Sequence, residues 1–214
     1  MGSPEAALAR VPGVSAVYIA FEGSEASGKS TQAKRLADAL DAVHTRETGG
    51  TAIGARIREI LHDVAVTDLD PRAEALLTAA DRAQHLASVV QPALRDGRHV
   101  VSDRTVYSTL AYQGYGRGVE LADLRQLNDW AVRGRWPDIV FLLTVAPETT
   151  ARRMGRRQLD RFEQAGDEFH ARVDAGFRAM AAADPEHWVV VDADRPIDDV
   201  SAEIRGVVRE RFGV

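Results

Sequence analysis

The sequence predicts a doubly wound α/β fold: a five-stranded parallel sheet flanked by helices, with a short mobile lid. Three observations carry this. Short β-rich runs alternate with longer helical patterns along the whole chain, as in a string of βα units. Four of the five runs are nearly continuous in apolar residues, as strands covered on both faces must be. The residues with the most distinctive chemistry fall directly after strands, where ligands sit in sheets of this kind.

The first run, "VSAVYIAF" (14–21), leads into "EGSEASGKST", and Ala33, Leu36, Ala37 and Leu40 then recur at helical spacing. A weaker run, "AVHTR" (42–46), is followed by "RETGGT", after which Ile53, Ile57, Ile60 and Leu61 mark a second helix. A long apolar pattern from Pro71 to Leu94 precedes "RHVVSD" (98–103), which ends in Asp103 and is followed by Arg104. "DIVFLLTV" (138–145) and "HWVVVD" (187–192) complete the sheet, separated by the arginine-dense "ARRMGRRQLDRFE" (151–163). No linker or repeat interrupts the pattern, so residues 14–214 are expected to form one domain with its lid at about 151–163. Residues 1–13 read as a poorly ordered extension.

Composition narrows the function. With 27 Lys and Arg against 32 Asp and Glu, the net charge of −5 provides no global field for nucleic acid or an anionic membrane, so any polyanion site must be local. The absence of cysteine excludes disulfides, thiolate metal sites and thiol redox chemistry. The longest apolar run, Ile139 to Ala146, is far short of the roughly 20 residues that span a bilayer. The N-terminal residues lack the basic start and apolar core of a secretory signal, and a soluble cytoplasmic protein is expected.

Gly23, Gly28, Lys29 and Ser30 spell G-x-x-x-x-G-K-S between a strand and a helix. In that setting backbone N–H groups of the loop and the helix N-terminus surround a phosphate, a lysine reaches the outer phosphate oxygens, and a serine hydroxyl ligates Mg²⁺. Gly23, Ser24, Glu25, Ala26, Ser27, Gly28, Lys29, Ser30 and Thr31 are therefore the expected ATP-binding loop, with Lys29 catalytic and Ser30 on the metal. The loop alone does not choose among motors, switches, transporters and kinases. No N-K-x-D guanine signature is present. Arg152, Arg153, Arg156, Arg157 and Arg161 lie within ten positions, and a helix would place Arg152 and Arg156 on one face. A solvated basic helix would read the same way, but beside a phosphate loop in an acidic protein such a face suits a lid that offsets charge during phosphoryl transfer.

"FEGSEASGKSTQ", "TRETGGT", "ALLTAADRAQH", "SDRTVYSTLAYQGYGRG", "PDIVFLLTV" and "LDRFE" occur in an order and spacing that resemble bacterial thymidylate kinases over nearly the entire chain. The resemblance implies transfer of the γ-phosphate of Mg-ATP to dTMP, giving dTDP. It implies that Arg104 holds the acceptor 5′-phosphate, that Asp103 organises magnesium through water or lies on the base side of the pocket, and that Arg82 bonds the thymine edge. It further implies an acceptor pocket that includes Glu47, Ser108, Thr109, Tyr112 and Gln113. Asp160, Arg161 and Glu163 would belong to the lid. Because Ala26 follows Glu25 and the loop has no arginine, the chain resembles the lid-arginine type, with Arg152, Arg156 and Arg157 as the candidates. Family members pair as homodimers through helices, for which the Pro71 to Leu94 pattern would serve.

Three positions depart from the family pattern. Thr48 replaces a proline that is commonly cis, and a non-proline cis bond costs roughly 2.5 to 4 kcal/mol, so this loop is expected to be trans or strained. Thr78 replaces a phenylalanine that stacks on the base, and Thr105 replaces an aromatic residue; Tyr107 or Tyr115 would have to supply the missing ring. The expectation is a dTMP kinase; the alternatives are a related nucleoside monophosphate kinase with altered base preference, and a non-catalytic nucleotide-binding switch.

Overall fold

The computed structural model describes residues 15–155 and 158–214. β1 (Tyr18–Glu22) leads into α1 (Lys29–Leu40), and β2 (Val43–Arg46) into α2 (Ala52–His62) and α3 (Pro71–His85). α3 continues through a π-helical segment (Leu86–Val90) into α4 (Gln91–Arg95). β3 (Val100–Asp103) is followed by α5 (Val106–Thr109), a second π-helical segment (Leu110–Gly116) and α6 (Leu121–Val132). β4 (Ile139–Thr144), α7 (Pro147–Met154), α8 (Asp167–Ala183), β5 (Trp188–Asp192) and α9 (Ile197–Phe212) complete the order.

The five strands pair in parallel in the order β2-β3-β1-β4-β5. β1 is central, and the chain turns to opposite sides of it for β3 and β4, which opens a crevice at the carboxyl end of β1. The register sets Phe21 opposite both Asp103 and Phe141, so the glycine loop and the Asp103–Arg104 pair emerge side by side.

Burial on both faces explains the continuous apolar runs. Ile19, Phe21, Phe141 and Leu143 pack with Ala33, Leu36 and Ala37 of α1 and with Val200, Ile204 and Val208 of α9. Ala20, Val140 and Leu142 face the other way, onto Phe169, Val173 and Phe177 of α8. Fully burying each large apolar side chain contributes about 1.5–3 kcal/mol, which gives the catalytic loop a rigid base.

The second helix forms where Ile53, Ile57, Ile60 and Leu61 recur: Leu61 is buried and Ile57 packs against the core, while Ile53 and Ile60 face outward. One local expectation changes. α7 ends at Met154, where Gly155 takes a positive φ of 59°. The helix expected to align Arg152 with Arg156 therefore stops short, and Arg156 and Arg157 lie outside the described residues. Among the described residues no helix is long and apolar enough to cross a membrane.

Candidate active site

The loop after β1 depends on glycine at two points. A Cβ on Gly23 would lie 2.4 Å from the Leu143 carbonyl oxygen, and Gly28, at φ 97°, turns the chain into α1. Lys29 folds back so that Nζ donates to the Ser24 carbonyl at 2.6 Å and to Ser27 Oγ at 3.3 Å. Burial and the neighbouring Arg104 disfavour its charge, Glu25 and Asp103 favour it, and the balance leaves the ammonium at about 8. Glu25, Ala26, Ser27, Gly28, Lys29, Ser30 and Thr31 line a cavity of about 560 Å³, which Arg195, Ile197 and Val200 also line.

Ser30 Oγ donates to Asp103 Oδ2, while Asp103 Oδ1 is buried with no hydrogen-bond partner among the described residues. No cluster of three or more acidic or histidine side chains capable of caging a metal occurs among those residues. Mg²⁺ keeps much of its water and takes one or two protein groups together with phosphate oxygens. An orphaned carboxylate oxygen beside a serine hydroxyl is the donor set such an ion needs.

Arg104 stands between two cavities. Its Nη2 donates to Glu25 Oε1 at 2.6 Å and to Tyr112 OH at 3.0 Å, and its Nη1 to the Gly23 carbonyl and Ser108 Oγ, both at 3.1 Å. Burial opposes the charge, but Glu25 and its neighbours outweigh it and hold the guanidinium firmly protonated. The Glu25 carboxyl is raised by burial and lowered more strongly by Arg104 and Lys29, to about 2. Tyr112 OH donates to the same Glu25 oxygen at 2.6 Å.

The second cavity, about 200 Å³, is lined by Thr48, Thr78, Arg82, Ser108, Thr109, Tyr112, Gln113, Asp160, Phe162 and Glu163. Glu25, Glu47, Arg58 and Arg104 border both cavities. Arg82 is fully buried; it donates to Glu47 Oε2 at 2.9 Å, Thr109 Oγ1 at 3.1 Å, the Thr105 carbonyl at 3.2 Å and Asn128. The other Glu47 oxygen lies 2.8 Å from His85 Nδ1, and His85 Nε2 lies 2.6 Å from Thr45 Oγ1. Burial would raise the Glu47 carboxyl, yet Arg82 and His85 keep it below its ordinary value. The peptide between Glu47 and Thr48 is cis, as in the proline-containing pattern.

The ring missing at Thr78 comes neither from Tyr107 nor from Tyr115. Tyr107 packs against Trp136 and Trp188, and Tyr115 sits against Gly176. Phe162 supplies an aromatic wall instead, edge to face with Tyr112 at 5.7 Å. Thr105 is also accounted for, since its N–H and Oγ1 donate to Glu22 Oε1 at 2.8 and 2.9 Å while Ser108 Oγ donates to Glu22 Oε2 at 2.6 Å.

The described lid arginines, Arg152, Arg153 and Arg161, point in different directions. Arg152 donates to Thr149 Oγ1 and does not line either cavity. Arg153, one residue on and turned by about 100° around the helix, donates to the Ala26 carbonyl at 3.2 Å and the Ala193 carbonyl at 2.9 Å, and it lines the larger cavity. Arg161 points away, to Glu74 Oε2 at 2.6 Å and the Leu61 carbonyl at 2.8 Å. Asp160 is held by His62 Nδ1 at 2.7 Å and by the N–H groups of Phe162 and Glu163, and Glu163 Oε2 accepts from the Asp160 N–H.

Sequence reasoning missed Glu22, Arg58, Glu74 and His85, and it counted Arg153 among the lid arginines without naming it as a candidate. Glu22 had a signal, a carboxylate closing an apolar strand. Arg58 had none, because one arginine on a surface helix carries no mark of the cavity it borders.

A parallel sheet with a glycine-rich phosphate loop, a serine–aspartate pair and two cavities that share Arg104 and Arg58 defines a P-loop phosphotransferase. A family model, thymidylate kinase, matches residues 21–204. The chain belongs to the thymidylate kinase family. It is 50% identical to a thymidylate kinase of Leifsonia xyli over 198 residues, 88% of this chain and 92% of that protein. A thymidylate kinase of Pelotomaculum thermopropionicum is 49% identical over 185 residues, 83% of this chain and 86% of that protein. The crystal structure of thymidylate kinase from Ehrlichia chaffeensis superposes with a TM-score of 0.75 at 31% identity, covering 91% of this chain and 98% of that one.

Proposed function

We propose that this protein transfers the γ-phosphate of ATP to dTMP by in-line displacement, acting in the cytoplasm as a homodimer. The observation that carries the reading is Arg104: its half-buried, protonated guanidinium borders both cavities, where donor and acceptor phosphates would meet. The loop from Gly23 to Thr31 holds the donor phosphates through backbone N–H groups, and Lys29 leaves Ser24 and Ser27 to reach them. Ser30 and Asp103 would hold Mg²⁺, which when bound would screen the phosphate charges. Arg104 grips the acceptor phosphate with its planar fork, and Arg58 and Arg153 add positive charge on either side. Thr109, Tyr112, Gln113 and Phe162 form the nucleoside wall, and the Arg82–Glu47 ion pair lines the same cavity. The lid closes over the site to exclude water.

Homodimerisation is supported by an apolar face. α3 packs on both α2 and α6, and Ile53, Ile60, Leu76 and Trp130 of these three helices are exposed. Light scattering on the purified chain would give the mass of a pair, and a monomeric mass would remove this part of the reading.

An ADP-release assay with Mg-ATP and a panel of nucleoside monophosphates tests the activity. dTMP should give the highest kcat/KM. A faster rate with another base would transfer the assignment to that nucleotide, and ATP binding without transfer to any acceptor would favour the switch.

A further inference from the structure

Glu74 is not among the cavity-lining residues, and its carboxylate is almost wholly buried on α3. Its Oε1 accepts from Gln113 Nε2 at 2.7 Å and from Arg117 Nε at 3.4 Å, and its Oε2 accepts from Arg161 Nη2 at 2.6 Å. Gln113, itself 2% exposed, lines the smaller cavity. A carboxylate between two guanidinium groups can only accept, so the amide NH₂ of Gln113 must face Glu74 and its carbonyl is left for the cavity.

We propose that Glu74 is a positioning residue for base selection: by binding the Gln113 amide nitrogen, it fixes the side chain as a hydrogen-bond acceptor toward the base. Thymine carries a donor at N3 and cytosine an acceptor there, so a fixed carbonyl favours the first and repels the second. The inference rests on Gln113 belonging to the nucleoside wall, as proposed above, and takes it to meet the base edge. The same carboxylate binds Arg161 of the lid, so base reading and lid anchoring share one residue.

The test compares dTMP with 5-methyl-dCMP, which keeps the methyl group and reverses the donor and acceptor pattern. In Glu74→Gln the new amide must turn its oxygen to one arginine, and Arg161 at 2.6 Å holds it more closely than Arg117 at 3.4 Å. Its NH₂ then faces Gln113, which inverts and presents its own NH₂ to the base. The ratio of kcat/KM for dTMP over 5-methyl-dCMP should fall by about tenfold or more in E74Q. E74D, which still only accepts, should keep the ratio near wild type even if both rates drop. A ratio taken within one preparation does not depend on how much of the variant is folded. A wild-type ratio in E74Q, or equal losses in E74Q and E74D, would overturn the proposal. Gln113→Leu separates the two layers: if it collapses the ratio while E74Q does not, only the role of Glu74 fails. If Q113L leaves the ratio unchanged, Gln113 does not read the base and the proposal falls with it.

Discussion

Arg104 Nη2 lies 2.6 Å from Glu25 Oε1, and the same carboxylate oxygen receives Tyr112 OH at 2.6 Å. The guanidinium is thus held in place before any phosphate arrives, which lowers the ordering cost of binding one. Arg104→Lys keeps the charge and loses the fork, so KM for dTMP should rise about tenfold or more in steady-state assays. Wild-type KM in this variant would show that charge alone suffices.

Glu25 also sets an acid limit on stability. Its folded carboxyl titrates near 2 against an ordinary value of 4.5, so the folded chain refuses a proton that the unfolded chain accepts. Its stabilising contribution is present above about 4.5 and is lost as pH falls toward 2. Melting temperatures across this window should decline less steeply in Glu25→Gln than in the wild type; identical slopes would assign the acid sensitivity elsewhere.

Arg153 and Arg152 should separate cleanly. Arg153→Ala removes the guanidinium beside Ala26 and should lower kcat/KM for ATP by about tenfold or more, whereas Arg152→Ala should stay within about threefold. The reverse order in the same assay would mean that the lid rearranges before transfer.

Lys29 predicts an alkaline limb. With its ammonium at about 8 in the free protein, the charged form fades as pH rises through that value, so kcat/KM for ATP should fall above it. A profile that stays flat to pH 10 would show that Lys29 keeps its proton better than burial suggests.

Phe162 should matter to the acceptor and little to the donor. Phe162→Ala removes the aromatic wall, and KM for dTMP should rise about five- to hundredfold with KM for ATP nearly unchanged, if stacking on the base carries its usual weight. Equal changes in both would indicate a general loosening.

The strands were legible because burial on both faces writes itself into composition: "DIVFLLTV" spans β4 (Ile139–Thr144) to within a residue at each end. The phosphate loop was legible because its glycines answer backbone needs at fixed spacing. Side-chain direction was not. Gly155 in "ARRMGRR" marks a helix stop, but nothing there shows that Arg153 rather than Arg152 turns toward the loop. Nor does sequence alone show that Thr105, in place of an aromatic, serves a buried Glu22, because that pairing joins β1 to the start of α5 across the sheet.

The wall shared by the two cavities has a thermodynamic consequence. Two anionic ligands that touch opposite sides of one cation do not bind independently: whatever the donor does to the affinity of the acceptor, the acceptor must do equally to the donor. With Arg104 already shared between Glu25 and Tyr112, the first nucleotide to arrive redistributes the charge that the second one meets.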